Sequence, residues 1–418
     1  MSKTILIAER IIPVSSPPLD GYAVIIERDK IIGLEPFRSA EKKNPYAKRI
    51  NLEGAILMPG LINLHTHLEL SSLRGGLPRG IDFFKWIAEL VNRKRGLKKR
   101  EYNNGVHIGI KELIKTGTTS IGEITSEGIS PYILSNYNIR GKVFYEVLGL
   151  SDLLTGYIWA KKRREFKRFK GNDLLDKGIS PHSCYSLSYD LLKKVSKYSA
   201  KYNITLSSHI SETKEEGEFI KEGRGKFKEL INSLGFKSPL PFYSPSPISY
   251  FKDLGLLKKD FLAVHAVWVD ESDIKIMKES SISIAHCPRS NAYLNVGKAQ
   301  VMKFLKEGIN VGLGTDSLAS NYSLNMWEEM RTAYNLHREE GLTAYEIFKM
   351  ATQSGAKALG WEDKVGTIEI GKKADLIAIK IPESAGDEIY LNLLKKTEAV
   401  LLTMVSGKVI YQEKKIWN

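Results

Sequence analysis

His65-Thr66-His67 is the pair whose residue types and spacing point most directly to chemistry. Residues i and i+2 of a β-strand face the same way. If the apolar run before the pair is a strand, its two imidazoles converge on one point. That makes a chelating pair for a borderline cation such as Zn2+. Two further ligand types close later apolar runs: His209 after 205–208, and Asp316 after 311–315. A catalytic divalent ion takes about three or four protein ligands and keeps one position open for water. Glu212 follows His209 by three residues, so it reaches the same mouth without being a ligand, as a proton shuttle must. His265 ends the run between them and could orient the attacking water. Taken singly, each residue has an ordinary role. An H-x-H is common, Asp316 could cap a helix, and Glu212 could belong to a solvated acidic run with Glu215, Glu216 and Glu218. Taken together, they predict one mononuclear site from His65, His67, His209 and Asp316. Its nitrogen-rich ligation favours Zn2+, with Fe2+ as the rival.

Such residues need strands to carry them. Between about 55 and 364 the chain alternates short apolar runs with amphipathic helical patterns, the signal of a parallel sheet built from βα units. Eight runs read as strands: 56–65, 119–123, 142–147, 178–183, 205–209, 262–265, 283–286 and 311–315. Helical periodicity covers 82–95, 298–307 and 324–338. Eight βα units of this length predict an α/β fold, a (β/α)8 barrel whose sites lie at the C-terminal ends of the strands. Six of the eight histidines fall at those ends: His65, His67, His182, His209, His265 and His286. His107 and His337 fall in helical patterns instead. The chain ends read differently, with strand-like runs over 4–12, 23–34, 366–379 and 400–412, the last two with turns at Gly371 and Gly407. They predict a small β-sandwich domain assembled from both ends, with boundaries at 1–54, 55–364 and 365–418.

The 418 residues include only Cys184 and Cys287, which argues against a disulfide framework and for a reducing compartment. No apolar run reaches the ~20 residues of a membrane helix. The first residues carry Glu9 and Arg10 and no small-residue cleavage site, so no signal peptide is read and a cytoplasmic location is expected. The net charge of +14 raises nucleic acid as a partner. The basic clusters at 93–100 and 161–170, however, read as solvated faces of surface helices, with Trp159, Phe166 and Phe169 on one stripe. A small-molecule substrate, no nucleic acid, no membrane and a homodimer are the expected associations. Phosphate-loop, dinucleotide-binding, H-E-x-x-H and P-C-x-x-C signatures do not occur. A scaffold that keeps the fold without chemistry would not need the intact ligand set and Glu212.

The order of these ligands along successive strands resembles the amidohydrolase superfamily over nearly the whole chain. Pro59-Gly-Leu-Ile-Asn-Leu-His-Thr-His67 is similar to its first-strand motif. His286-Cys-Pro-Arg-Ser-Asn291 and Gly312-Leu-Gly-Thr-Asp-Ser317 are similar to the last two strand motifs. The run 351–360 followed by 366–376 resembles the return into the small β domain. The fourth strand, 178–183, lacks the bridging lysine of binuclear members. The resemblance therefore implies the mononuclear deaminase and chlorohydrolase branch, in which His182 would contact substrate. The run His65-Thr-His-Leu-Glu-Leu-Ser71 with Phe83-Phe-Lys-Trp86 resembles the aminodeoxyfutalosine deaminases of the alternative menaquinone pathway. It implies hydrolytic deamination of a purine-like nucleoside. Adenosylhomocysteine, methylthioadenosine and adenosine deaminases, and chlorohydrolases, are the alternatives. Glu212, His265 and Asp316 would then be catalytic, and Glu69, His182, Arg289 and Asn291 would touch substrate. Glu69 could instead pair with Arg74 or Arg79.

Overall fold

The structure is a computed structural model that describes residues 3–236, 241, 243–380, 388–397 and 399–413. Parts of the terminal segments 1–54 and 365–418 therefore lie outside the described residues. Five strands come first: β1 (Lys3–Ile11), β2 (Leu19–Asp20), β3 (Tyr22–Glu27), β4 (Lys30–Pro36) and β5 (Lys48–Pro59). Eight follow in the interior: β6 (Leu61–Thr66), β7 (Thr118–Thr125), β8 (Arg140–Val147), β9 (Leu175–Pro181), β10 (Ser207–Ile210), β11 (Leu262–His265), β12 (Ser283–His286) and β13 (Asn310–Leu313). The last are β14 (Leu376–Lys380), β15 (Val400–Val405) and β16 (Lys408–Gln412).

The interior strands form two parallel four-stranded sheets, β6-β7-β8-β9 and β10-β11-β12-β13. They meet at two seams made of single parallel bridges, Ile179 with Leu206 and Thr66 with Asp316. Beneath the strand ends lies an apolar plug that includes Ile62, Leu64, Phe144, Leu262 and Val264, floored by Leu359 and Trp361. The second seam depends on Gly314. A Cβ there would lie 3.0 Å from the His65 Cβ, and only glycine lets the two chains approach. Both chain ends enter one eight-stranded sheet, ordered β16-β15-β14-β5-β1-β3-β4 with β2 beside β1.

Strand boundaries differ from the sequence reading in several places; the run expected over 23–34 is divided by a turn at Arg28 and Asp29. The strand expected over 56–65 is divided at Gly60. Its first half, in β5, pairs with β1 and β14 in the terminal sheet, and its second half, β6, opens the interior. The strand expected over 366–379 begins only at Leu376, because Gly366 and Gly371 take left-handed backbone angles that an extended strand excludes. The basic run at 161–170 lies mostly on the helix Thr155–Arg168, with Phe166 buried, as a surface helix requires. No helix among the described residues is long and apolar enough to cross a membrane.

Candidate active site

His65 and His67 leave the end of β6, where its pairing with β7 shifts register between Asn63 and Thr66. Their Nε2 atoms lie 3.1 Å apart. His209 in β10 places its own Nε2 3.1 Å from that of His65. The Asp316 Oδ1 lies 3.6 Å and 3.5 Å from the Nε2 atoms of His65 and His67. One ligand atom from each of these four buried residues falls within 4.8 Å of all the others.

The donor chemistry fits a divalent cation. The His209 Nδ1–H donates to the His182 carbonyl at 3.1 Å, which leaves the Nε2 lone pair facing the cluster. The His65 Nε2 faces two other Nε2 atoms at once, an arrangement that neutral imidazoles cannot satisfy among themselves. Burial, above all, pushes His65 down to about 4, so it is neutral at pH 7. Burial also pushes His67 well below the usual histidine range. Burial works against the charge on Asp316, but the His65 hydrogen bond and the neighbouring imidazoles reverse that and hold it ionised. Its Oδ2 accepts from Ser290 Oγ at 2.6 Å and Ser320 Oγ at 2.8 Å, which turns Oδ1 toward the histidines. Ligand atoms with bonds of about 2 Å to one ion sit roughly 3–3.5 Å apart, close to the spacing found here.

Glu212 follows β10 across Ser211, a residue in the left-handed region at φ 54°. Glu216 clamps this turn by accepting the Ser211 and Glu212 backbone N–H groups at 3.0 Å and 2.9 Å. The Glu212 carboxyl is buried and pushed up to about 7, first by burial and also by Asp316. The His265 Nε2 lies 3.5 Å from Glu212 Oε1 and makes no hydrogen bond among the described residues. The His265 Nδ1 faces Asn291 Oδ1 at 2.8 Å, which fixes the ring. His265 and Asp316 also have left-handed backbones, at φ 71° and 59°. Three uncommon conformations around one point mark a strained, over-determined site.

These groups floor a cavity of about 410 Å³. Its walls are largely apolar. They come from the helix Phe83–Gly96, capped by the Asp82 carboxylate, and from the helix Lys226–Ser233. The helix ends are joined by a Lys226–Asp82 ion pair of 2.7 Å and by the edge-on rings of Phe84 and Phe227. His182 lines the cavity, and Ser186 Oγ holds its Nδ1 at 2.9 Å. Lys94 and Glu146 line it too. Burial disfavours the Glu146 charge, but His182, Lys94 and His67 outweigh that and hold its carboxyl below the usual range.

The structure thus brings together His65, His67, His209, Asp316, Glu212, His265 and His182. Three residues expected to touch substrate have other partners here. Glu69 lies outside the cavity lining, and its carboxylate accepts from Thr125 Oγ1 and from the backbone N–H groups of Ser126, Glu127, Ile129 and Ser130. It clamps the loop after β7 and pairs with neither Arg74 nor Arg79. Arg289 is turned away, donating to Ser323 at 2.8 Å and pairing with Glu328 at 2.6 Å. Asn291 is buried outside the lining and positions His265. His286 is buried away from the cluster beside His337. Sequence reasoning missed Lys94, Glu146, Glu216, Ser290 and Ser320. Glu146 carried a usable signal, as a carboxylate at the C-terminal end of a strand.

The profile of the amidohydrolase family matches residues 56–410. The 5'-deoxyadenosine deaminase of Methanobrevibacter smithii is 31% identical, over 99% of this chain and 94% of its own length. The aminodeoxyfutalosine deaminase of Nitratiruptor is 30% identical, over 91% of this chain and 93% of its own. The crystal structure of Helicobacter pylori aminofutalosine deaminase with methylthio-coformycin superposes with a TM-score of 0.87 at 25% identity, covering 98% of this chain and all of that one. The chain belongs to the amidohydrolase family.

Proposed function

We propose that the protein is a metal-dependent hydrolytic deaminase acting on the ring amino group of an adenosine-type nucleoside. One observation carries this reading: three imidazoles and an ionised carboxylate converge beside a buried acid, at the floor of an apolar cavity of about 410 Å³. His65, His67, His209 and Asp316 would hold one divalent ion, Zn2+ by preference for nitrogen donors. When bound, such an ion supplies Lewis acidity that lowers the pKa of water. Glu212 protonates the ring nitrogen next to the amino-bearing carbon. His265 and Asp316 hold the proton lost by the attacking water. Water adds to that carbon, a proton passes through Glu212 to the amine, and the C–N bond breaks to release ammonia. His182 touches the ring.

The reading takes the two parallel sheets as halves of one (β/α)8 barrel spanning 55–364, and the terminal sheet, with apolar clusters on both faces, as the small β-sandwich domain. Aminodeoxyfutalosine, with its large 5' substituent, is the first candidate substrate, and through it a place in menaquinone biosynthesis. The Phe83 and Trp86 walls suit such a substituent. The same walls suit the small apolar tails of 5'-deoxyadenosine and methylthioadenosine, which form the second reading. The test is ammonia release from aminodeoxyfutalosine, 5'-deoxyadenosine, methylthioadenosine, adenosylhomocysteine and adenosine. Turnover of at least one supports the reaction, and the ranking decides the tail. Silence across the panel contradicts the reading.

A further inference from the structure

Glu146 is a buried carboxylate that the reaction above does not use. It is 3% exposed and stands at the C-terminal end of β8, lining the cavity. An ionised carboxylate out of water is costly unless it is paired or hydrogen-bonded. Only half of that requirement is met. Oε2 accepts from Ser126 Oγ at 2.6 Å, and among the described residues nothing donates to Oε1 and no cationic nitrogen lies within 4.0 Å. Lys94 shares the cavity wall without reaching it. An acceptor-only group held ready in an apolar chamber calls for a ligand that brings donors.

Position narrows the class of donor. Glu146 pairs across the sheet with Ser180, two residues before His182, so the two side chains stand on neighbouring strand ends. The cavity continues past the end of β8 along Leu148, Gly149 and Leu150, which is where the N-linked substituent of a ring placed against His182 would run. The other buried carboxylate expected to touch substrate, Glu69, is saturated by five donors. One of them is the Ser126 N–H, so Glu69 fixes the serine that in turn fixes Glu146.

We propose that Glu146 holds the sugar of the substrate by accepting hydrogen bonds from the vicinal 2'- and 3'-hydroxyls of a purine nucleoside. This rests on the deaminase reading above and goes beyond it by assigning the sugar subsite. Hydrogen bonds to a charged group are worth enough to favour ribosides over their deoxy analogues by about 10- to 100-fold.

The experiment compares kcat/KM for adenosine, 2'-deoxyadenosine and 3'-deoxyadenosine in the wild type, Glu146→Gln and Glu146→Ala, with metal content and Tm measured alongside. Calorimetric binding of inosine and 2',3'-dideoxyinosine to the same proteins gives a readout independent of turnover. The expected result is a riboside preference of about 10- to 100-fold in the wild type that collapses toward parity in Glu146→Ala and falls part-way in Glu146→Gln. Inosine binding should show the same collapse. An unchanged ratio in the variants overturns the proposal, and so does an equal loss on every nucleoside with lowered Tm. Silence of the wild type on these three and on the five nucleosides of the panel above would instead overturn the deaminase reading, whereas turnover or inosine binding with an unchanged ratio overturns the role of Glu146 alone.

Discussion

At Glu212 a buried carboxyl pushed up to about 7 sits beside a histidine with a free ring nitrogen. A group titrating near neutral pH can both give and take a proton in one cycle. Glu212→Gln keeps the shape and removes the proton. Turnover should fall by at least about 10²-fold while metal content stays at the wild-type value, read by ammonia release and metal analysis on the same sample. Near-normal turnover would assign the shuttle to another group. Glu69 makes the opposite demand. Glu69→Ala leaves five donors around 125–130 without their acceptor, each costing up to a few kcal/mol if it stays dry. Chemical denaturation should show a loss of about 2–4 kcal/mol. A loss below about 0.5 kcal/mol, the size of an ordinary surface change, would contradict the clamp.

At the scale of elements, the helix Pro288–Leu294 after β12 brings Ser290 to Asp316, and the loop after β13 brings Ser320. Partners that orient a ligand typically change metal affinity by 10–100-fold. Ser290→Ala should therefore weaken metal binding by about 10-fold, measured by competition with a chelator. Unchanged affinity would mean that Ser320 suffices. The clustered histidines were legible in the sequence because histidine at the end of an apolar run is a joint signal of type and place. The directions of Glu69 and Asn291 were not legible. The i, i+2 rule that aims Glu69 at the cavity assumes a continuing strand, but β6 ends at Thr66 and a 3-10 helix, Leu68–Leu73, turns Glu69 to the next loop. Asn291 lies on a helix whose start a motif reading does not supply, so its direction was out of reach. Glu146 went unremarked because no motif contains it. Its place at a strand end was legible, but the packing adds that it is buried and that nothing among the described residues donates to Oε1.

At the scale of the whole molecule, the eight interior strands were legible from apolar runs bounded by helical periodicity, while the change of sheet at Gly60 was not. The Pro59-Gly60 step marks a break there, but it does not say that pairing passes from one sheet to another. The buried histidines also set an acid limit on stability. His286 is held neutral, pushed down to about 3 by burial and then by His337. Its folded pKa lies below the unfolded value near 6.5, so its contribution is present above pH ~6.5 and is lost as pH falls toward about 3. Unfolding free energy should drop by up to about 1.4 kcal/mol per pH unit from this group in that window, and His286→Gln should flatten the slope. An identical slope in the variant would place the acid sensitivity elsewhere. The claim that one metal site and its acid carry the function is tested most directly by metal titration. The enzyme is stripped with a chelator, Zn2+ is returned in fractional equivalents, and ammonia release from the best nucleoside is followed. The account predicts no release without metal, a linear rise, and a plateau at one equivalent per chain. Full activity in the stripped enzyme, or a plateau at two equivalents, would contradict it.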